Sequence, residues 1–71
     1  MAEIKNLIEG LTDEILRVTE IIREYRELPG GAGNLAAHFM EVDVAAARKA
    51  QASGDVIECL AAFGKLQEYE L

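Results

Sequence analysis

The residues of this chain that could do chemistry lie around one glycine-rich stretch, LPGGAGNLAAHF, at residues 28–39. The backbone N–H groups of such a turn, followed by the start of a helix, can bind an anion. The residues that could line a small anionic or nucleotide ligand there are Arg23, Tyr25, Arg26, Gly30, Gly31, Gly33, Asn34 and His38. The stretch has neither the Gly-Lys-Ser/Thr ending of a P-loop nor the full G-x-G-x-x-G spacing. A plain connector between two helices therefore remains the simpler interpretation.

Acid–base or metal chemistry would need His38 with Glu41 and Asp43, or the single cysteine, Cys59. His38 and Glu41 are three residues apart and so share one face of a helix. One histidine supplies too few ligands for a zinc site, which takes four, and no activated nucleophile is placed beside it. We therefore predict no catalytic residue, no metal site and no cofactor, and a protein that is not an enzyme.

The spacing of apolar residues predicts an all-α fold of three helices, over about residues 2–28, 35–52 and 56–69. The first helix carries a heptad repeat, with apolar residues alternately four and three apart. Its members are Ile4, Ile8, Leu11, Ile15, Val18, Ile22 and Tyr25. Gly10 costs about 1 kcal/mol relative to alanine inside a helix. A break there, with Thr12 capping a second piece, is the alternative to one continuous helix.

Proline, glycine and short polar residues mark the predicted helix ends. Pro29 disfavours helical geometry at Leu28 and so ends the first helix. Asn34 is expected to cap the second helix. Gly54 suits the left-handed position after the second helix, and Asp55 suits the N-cap of the third.

The apolar rows of the two shorter helices predict which of their faces are buried. The row on the second helix consists of Leu35, Phe39, Val42, Ala46 and Ala50. The row on the third helix consists of Val56, Cys59, Leu60, Phe63 and Leu66. Gly64, next to Phe63, is expected to let another helix cross closely.

The size of the chain favours association with a second copy. A single helical domain over residues 1–71 buries only about 60% of the surface of its unfolded chain. With one cysteine, no internal disulfide can add stability. The first helix would be about 40 Å long, and neither shorter helix could cover it alone. We therefore predict that the heptad face completes the bundle in a homo-oligomer, a dimer or higher.

Charge and hydropathy exclude several classes of partner. Thirteen acidic and seven basic residues give a net charge of −6, which argues against direct binding to nucleic acid. No apolar stretch approaches the roughly 20 residues that span a membrane. An unpaired thiol without a secretory signal indicates the cytoplasm. The acids could bind a basic patch on a partner protein, although they alternate with bases as on an ordinary solvated helix face.

With EYRELPGGAGNLAAHF and DVAAARKAQASGD, this short acidic chain resembles the accessory proteins that phages and prophages encode. The resemblance lies in length, charge and helix content, and no family motif is matched residue by residue. That group includes inhibitors of bacterial immune systems, some of which bind proteins and some of which sequester signalling nucleotides. The resemblance thus implies a small anti-defence protein, and it assigns no site.

Two functions agree with these observations. The first is a non-enzymatic, acidic, homo-oligomeric protein that binds and inhibits or regulates a partner protein, as a phage inhibitor of host defence would. The second is an oligomeric binder, or sponge, of a small anionic or nucleotide ligand, which would use the loop at residues 29–34 and the nearby arginines.

Overall fold

A computed structural model of the chain describes the backbone of residues 2–70 and the side chains of residues 6–70. The described residues form three α-helices and no strand, and the all-α fold predicted from the sequence is confirmed. The helices are α1 (Ala2–Arg26), α2 (Asn34–Ser53) and α3 (Val56–Gln67).

The first helix passes through Gly10 without a break, and the Thr12 hydroxyl donates to the carbonyl oxygen of Ile8 (3.1 Å) within it. Gly10 serves helix packing, because a Cβ atom at residue 10 would lie 3.2 Å from Cε2 of Phe63. A Cβ atom at Gly64 would meet none of the described atoms within 4 Å. The close approach of helices that we expected at Gly64 therefore occurs at Gly10.

The turn between α1 and α2 differs from the predicted one at both ends. The first helix ends at Arg26 rather than at residue 28, because Leu28 adopts the extended conformation (φ −64°, ψ 139°) expected before a proline. A 3₁₀ turn follows at Pro29–Gly31. The N-cap of α2 is Gly33 rather than Asn34, and its carbonyl oxygen accepts from the N–H of Ala37 (2.9 Å).

The turn between α2 and α3 matches the predicted one. Gly54 has a φ of 72°, and its N–H donates to the carbonyl oxygens of Ala50 (3.1 Å) and Gln51 (3.3 Å). The Asp55 carboxylate accepts from the N–H of Glu58 (3.0 Å), so Asp55 is the N-cap of α3.

The helices form a rod of 46 × 16 × 16 Å, in which α2 runs antiparallel to α1. A contact towards each end of α1 establishes this direction. Near the loop, Arg26 of α1 pairs with Glu41 of α2 (Nη2–Oε2 2.9 Å). Towards the other end of α1, Nε2 of Gln51 donates to the carbonyl oxygen of Ile8 (3.2 Å).

The third helix runs beside α1 in the same direction and stops part-way along it. Its Phe63 ring lies against Gly10. Further along α1, the Arg17 guanidinium donates to the carbonyl oxygens of Leu66 (2.7 Å) and Tyr69 (2.6 Å). The last carbonyl groups of a helix lack a partner within it, and the oxygen of Leu66 accepts from the N–H of Tyr69 (3.2 Å) as well as from Arg17. Arg17 therefore holds the end of α3 against α1.

The heptad face of α1 forms the core of the chain itself. The buried side chains on α1 are Leu11, Ile15, Val18, Ile21 and Ile22. Ile8 and Tyr25 are half-buried, and the side chain of Ile4 lies outside the described residues. From Leu11 to Ile22 the heptad face is covered by α3 and by α2, which is about 30 Å long at 1.5 Å per residue. No second copy is needed to bury that part, and completion of the bundle by a homo-oligomer stays a prediction.

The buried face of α2 is not the predicted one. Its buried residues are Ala37, Met40, Val44, Ala47 and Ala50, of which only Ala50 belongs to the predicted row. Leu35, Phe39 and Val42 are exposed instead. Both rows have helical spacing, so periodicity alone could not choose between them. The row rich in alanine packs inward because small side chains let two helices approach closely.

The buried face of α3 is predicted correctly in part. Cys59 and Leu66 are buried and Phe63 is half-buried, whereas Val56 and Leu60 are exposed. The thiol of Cys59 therefore lies within the hydrophobic core, which is no place for a nucleophile that must reach a substrate.

Tyr69, just after α3, joins the end of that helix to α2. Its hydroxyl donates to the carboxylate of Asp43. This bond, then burial, then the negative charges of Asp43 and Glu68 raise the pKa of Tyr69 to about 12. An ordinary tyrosine has a pKa of about 10. Between these values the folded protein keeps a proton that the unfolded chain loses, so the contribution of Tyr69 to stability declines as pH rises.

We expect Tyr69→Phe to remove this dependence on pH. The free energy of unfolding of the wild type should fall more steeply than that of the variant between about pH 10 and about pH 12, and the two should run parallel below about pH 9. Urea denaturation followed by circular dichroism measures both curves. Parallel curves across the whole range would contradict the raised pKa.

Candidate functional site

The glycine-rich loop crosses the end of α1 at very short range. A Cβ atom at Gly33 would lie 2.8 Å from the carbonyl carbon of Tyr25, closer still to its oxygen, and 3.0 Å from Cδ1 of Leu28. The φ of Gly33 is an ordinary −97°. Residue 33 must therefore be glycine because there is no room for a side chain. Gly30 and Gly31 have φ values of 67° and 73°, in the left-handed region that favours glycine.

Both arginines expected beside the loop pair with carboxylates of the chain itself. The Arg23 guanidinium binds Glu20 (Nη2–Oε2 2.7 Å) and lies 4.0 Å from Glu27. The hydrogen bond to Glu20 and the nearby negative charges raise the pKa of Arg23. Arg26 binds both carboxylate oxygens of Glu41, at 3.0 and 2.9 Å. Each guanidinium therefore already has an anionic partner.

The other residues of the predicted ligand site belong to separate local contacts. The side chain of Asn34 lies over Gly31, with Nδ2 2.9 Å from where a Cβ atom of residue 31 would be. Tyr25 packs against the core. His38 is exposed, and its ring centroid lies 6.1 Å from that of Phe39. The loop residues are thus close to one another, while the charged side chains near them pair elsewhere.

A more distinctive feature is the apolar surface on the side of α2 away from α1. Leu35, Phe39 and Val42 are four and three residues apart, so they form one row along the helix. Their exposed fractions are 69%, 57% and 52%. We call these three residues the α2 row. Contiguous exposed apolar side chains are typical of protein interaction sites, whereas isolated ones are common on any surface.

A second exposed apolar surface lies on the outer side of α3. Ile57, Leu60, Ala61 and Gly64 are spaced by three, one and three residues, which places them on one side of the helix. Ile57 is 79% exposed and Leu60 is 56% exposed. We call these four residues the α3 face.

A shallow groove between α2 and α3 adjoins the α3 face, which contributes Ala61 to its lining. Its apolar lining consists of Ala46, Ala50, Ala61 and Ala62. Its charged rim consists of Lys49, Glu58 and Lys65. The ammonium of Lys65 also lies 3.9 Å from Asp43, and its side chain is largely exposed. Helical spacing alone places Leu35, Phe39, Val42 and Leu60 in the core, so these exposed surfaces could not be predicted from the sequence.

The described residues contain no group of three histidine, cysteine or acidic side chains arranged to hold a metal ion. Within residues 2–70, none of the helices has both the length and the apolar character needed to cross a membrane. Comparisons of the chain with protein-family models, curated proteins and solved structures give no match. Function must therefore be inferred from the surface of the protein itself.

Proposed function

We propose that this chain is a non-enzymatic, homo-oligomeric helical protein that binds and inhibits or regulates a partner protein through the α2 row. The observation that carries the proposal is the exposure of Leu35, Phe39 and Val42 on a helix whose other side already packs into the core. Three large apolar side chains lie outside, while three of the five buried residues of α2 are alanines, and this arrangement is expected when the outer side has a binding role.

The spacing of the α2 row suits a helix that binds in an apolar groove of its partner. Anchors at positions i, i+4 and i+7 are the pattern of this recognition mode. A central aromatic side chain, here Phe39, is a typical source of binding energy at such interfaces. The net charge of −6 favours a partner whose groove is bordered by basic residues. The resemblance to phage accessory proteins implies host defence as the process that is inhibited.

The alternative function, a sponge for a small anionic or nucleotide ligand at residues 29–34, has less support from the side chains. Both arginines that would bind the anion have carboxylate partners in the chain. Gly33 has a packing role that accounts for it without a ligand. We therefore favour the protein partner.

Phe39→Ala is expected to weaken partner binding by about 30-fold, the effect of losing about 2 kcal/mol at a binding hot spot. The fold should keep its stability, because the side chain is exposed. The partner would first be identified by photo-crosslinking from residue 39, and its affinity for both proteins then measured by calorimetry. Arg48→Ala is the matched control, since Arg48 is an exposed residue of α2 outside the row.

Crosslinking, affinity measurement and native mass spectrometry together distinguish the two functions. Crosslinking from residue 39 but not from residue 48 to the same protein, together with weaker binding by Phe39→Ala, supports the proposal. Equal affinity of the wild type and Phe39→Ala would reject the α2 row as the binding surface. Native mass spectrometry that finds a bound small molecule, lost in Arg26→Ala, would support the sponge instead.

A further inference from the structure

Gly64 lies in the interior of an exposed helix where the described chain offers no reason for a glycine. Its φ is not in the left-handed region, and a Cβ atom there would touch none of the described atoms within 4 Å. Glycine in such a position weakens a helix relative to alanine. The residue becomes useful only if another backbone or side chain approaches α3 from outside.

We propose that the α3 face binds the same face of a second copy of this chain, with the two α3 helices antiparallel about a twofold axis close to Ala61. This proposal rests on the homo-oligomer of the proposed function and assigns its interface. The partner-binding α2 row is left free, since it lies on another helix.

The shape of the α3 face fits its own copy. Ile57 and Gly64 are equally distant from the midpoint between Leu60 and Ala61 along the sequence. A twofold axis at that midpoint places each Ile57 opposite Gly64 of the second copy. The most exposed large apolar side chain among residues 6–70 therefore meets the position that has no side chain. In an isologous contact this match occurs twice.

The charges beside the α3 face fit the same arrangement. Glu58 and Lys65 follow Ile57 and Gly64 by one residue, and both lie on the rim that faces α2. The antiparallel pair therefore brings each Glu58 close to Lys65 of the second copy, which forms two equivalent ion pairs. A parallel pair, related by a twofold axis along the helices, would place Glu58 of one copy and Lys65 of the other on opposite flanks, so neither ion pair would form.

This symmetry is why we assign a second copy rather than a different protein. The twofold axis that places Ile57 opposite Gly64 of the second copy also leaves Glu58 about 3 Å along the helix from the level of Lys65 of the second copy. A different partner would require no such relation. Two helices of this length bury on the order of 1,000 Å² in total, the low end for specific complexes. We therefore expect a dimer with a dissociation constant in the micromolar range.

The first test is the dimerisation of Gly64→Gln by sedimentation equilibrium. Glutamine is a good helix former, and its Cβ atom has free space in the monomer, so the fold should be kept. In the dimer the new side chain would fill the space that Ile57 of the second copy occupies. We expect the dissociation constant to rise at least tenfold. Ala45→Gln, at an exposed position of α2 outside the row, is the control and should dimerise like the wild type.

The second test exchanges the charges of Glu58 and Lys65. Glu58→Lys and Lys65→Glu should each raise the dissociation constant several-fold, and the double variant, which keeps the net charge, should restore it. Failure of the double variant to recover would overturn the antiparallel register.

The outcomes also separate this inference from the proposed function. A wild-type dimer that is insensitive to Gly64→Gln but lost in Phe39→Ala would overturn the α3 interface and leave a homo-oligomer built on the α2 row. A wild type that is monomeric at about 500 μM would overturn the α3 interface and the homo-oligomer together. Partner binding through the α2 row would then still be decided by its own crosslinking experiment.

Discussion

Gly33→Ala should destabilise the folded protein by about 3 kcal/mol or more, at the upper end of what added atoms cost in a packed site. The added Cβ atom would overlap the carbonyl group of Tyr25. Because the obstacle is backbone rather than the end of a flexible side chain, the loop must move away from α1 to accommodate it. Chemical denaturation of the two proteins, followed by circular dichroism, measures the loss.

A matched control adds the same methyl group where the structure has room for it. Gly64→Ala, measured in dilute solution where the monomer predominates, should raise the free energy of unfolding by up to about 1 kcal/mol through helix propensity. If Gly33→Ala left stability within about 0.5 kcal/mol of the wild type, the loop could not lie against Tyr25 as the structure places it.

The packing of Gly33 against Tyr25 limits which variants can test the loop for ligand binding. A bulky substitution at Gly33 would remove binding simply by unfolding the protein, so it is not a clean probe of a ligand site. Arg26→Ala is better suited. Its ion pair with Glu41 is exposed, and exposed pairs contribute only about 0–1 kcal/mol to stability.

Leu11→Ala is expected to lower the free energy of unfolding by about 2–5 kcal/mol, the range for a buried leucine that leaves a cavity. Leu11 is fully buried in a core to which all three helices contribute. Leu16→Ala is the control, because it makes the same change on the same helix at a residue that is 60% exposed. We expect the control to stay within about 0.5 kcal/mol of the wild type.

Measuring the stability of Leu11→Ala at several protein concentrations shows whether the heptad face is buried within one chain or between chains. If Leu11 belongs to the core of one chain, the loss of stability in Leu11→Ala should be the same at every concentration. A loss that grows as the concentration rises would mean that Leu11 stabilises a contact between chains, because the wild type would then gain more stability from association than the variant. Equal stability of the Leu11→Ala and Leu16→Ala variants would show that the heptad face is not buried.

Turn and cap features that depend on neighbouring residues could be predicted from the sequence. Pro29 imposes an extended conformation on Leu28, Gly54 takes the left-handed position after α2, and Asp55 caps α3. Each of these features depends on groups no more than four residues away, so the sequence alone determines it. The all-α class follows in the same way from the helical spacing of apolar residues.

Contacts between residues far apart in the sequence could not be predicted in this way. Arg17 binds carbonyl oxygens at residues 66 and 69, and Gly33 is required by a crossing with Tyr25. Nothing near Arg17 or Gly33 in the sequence indicates these partners. The pairing of Arg26 is of the same kind, since it lies near the loop in sequence but binds Glu41, 15 residues away.

From the amino-acid sequence follow the three amphipathic helices, the turn between the second and the third, and the apolar heptad on the first. Tertiary structure alone decided which surface covers that heptad and which row of α2 turns outward. The physical reason is that a helix with two apolar rows can bury either one. Only close packing against α1, which favours Ala37 and Ala47 over Leu35 and Phe39, selects the row that remains exposed for binding.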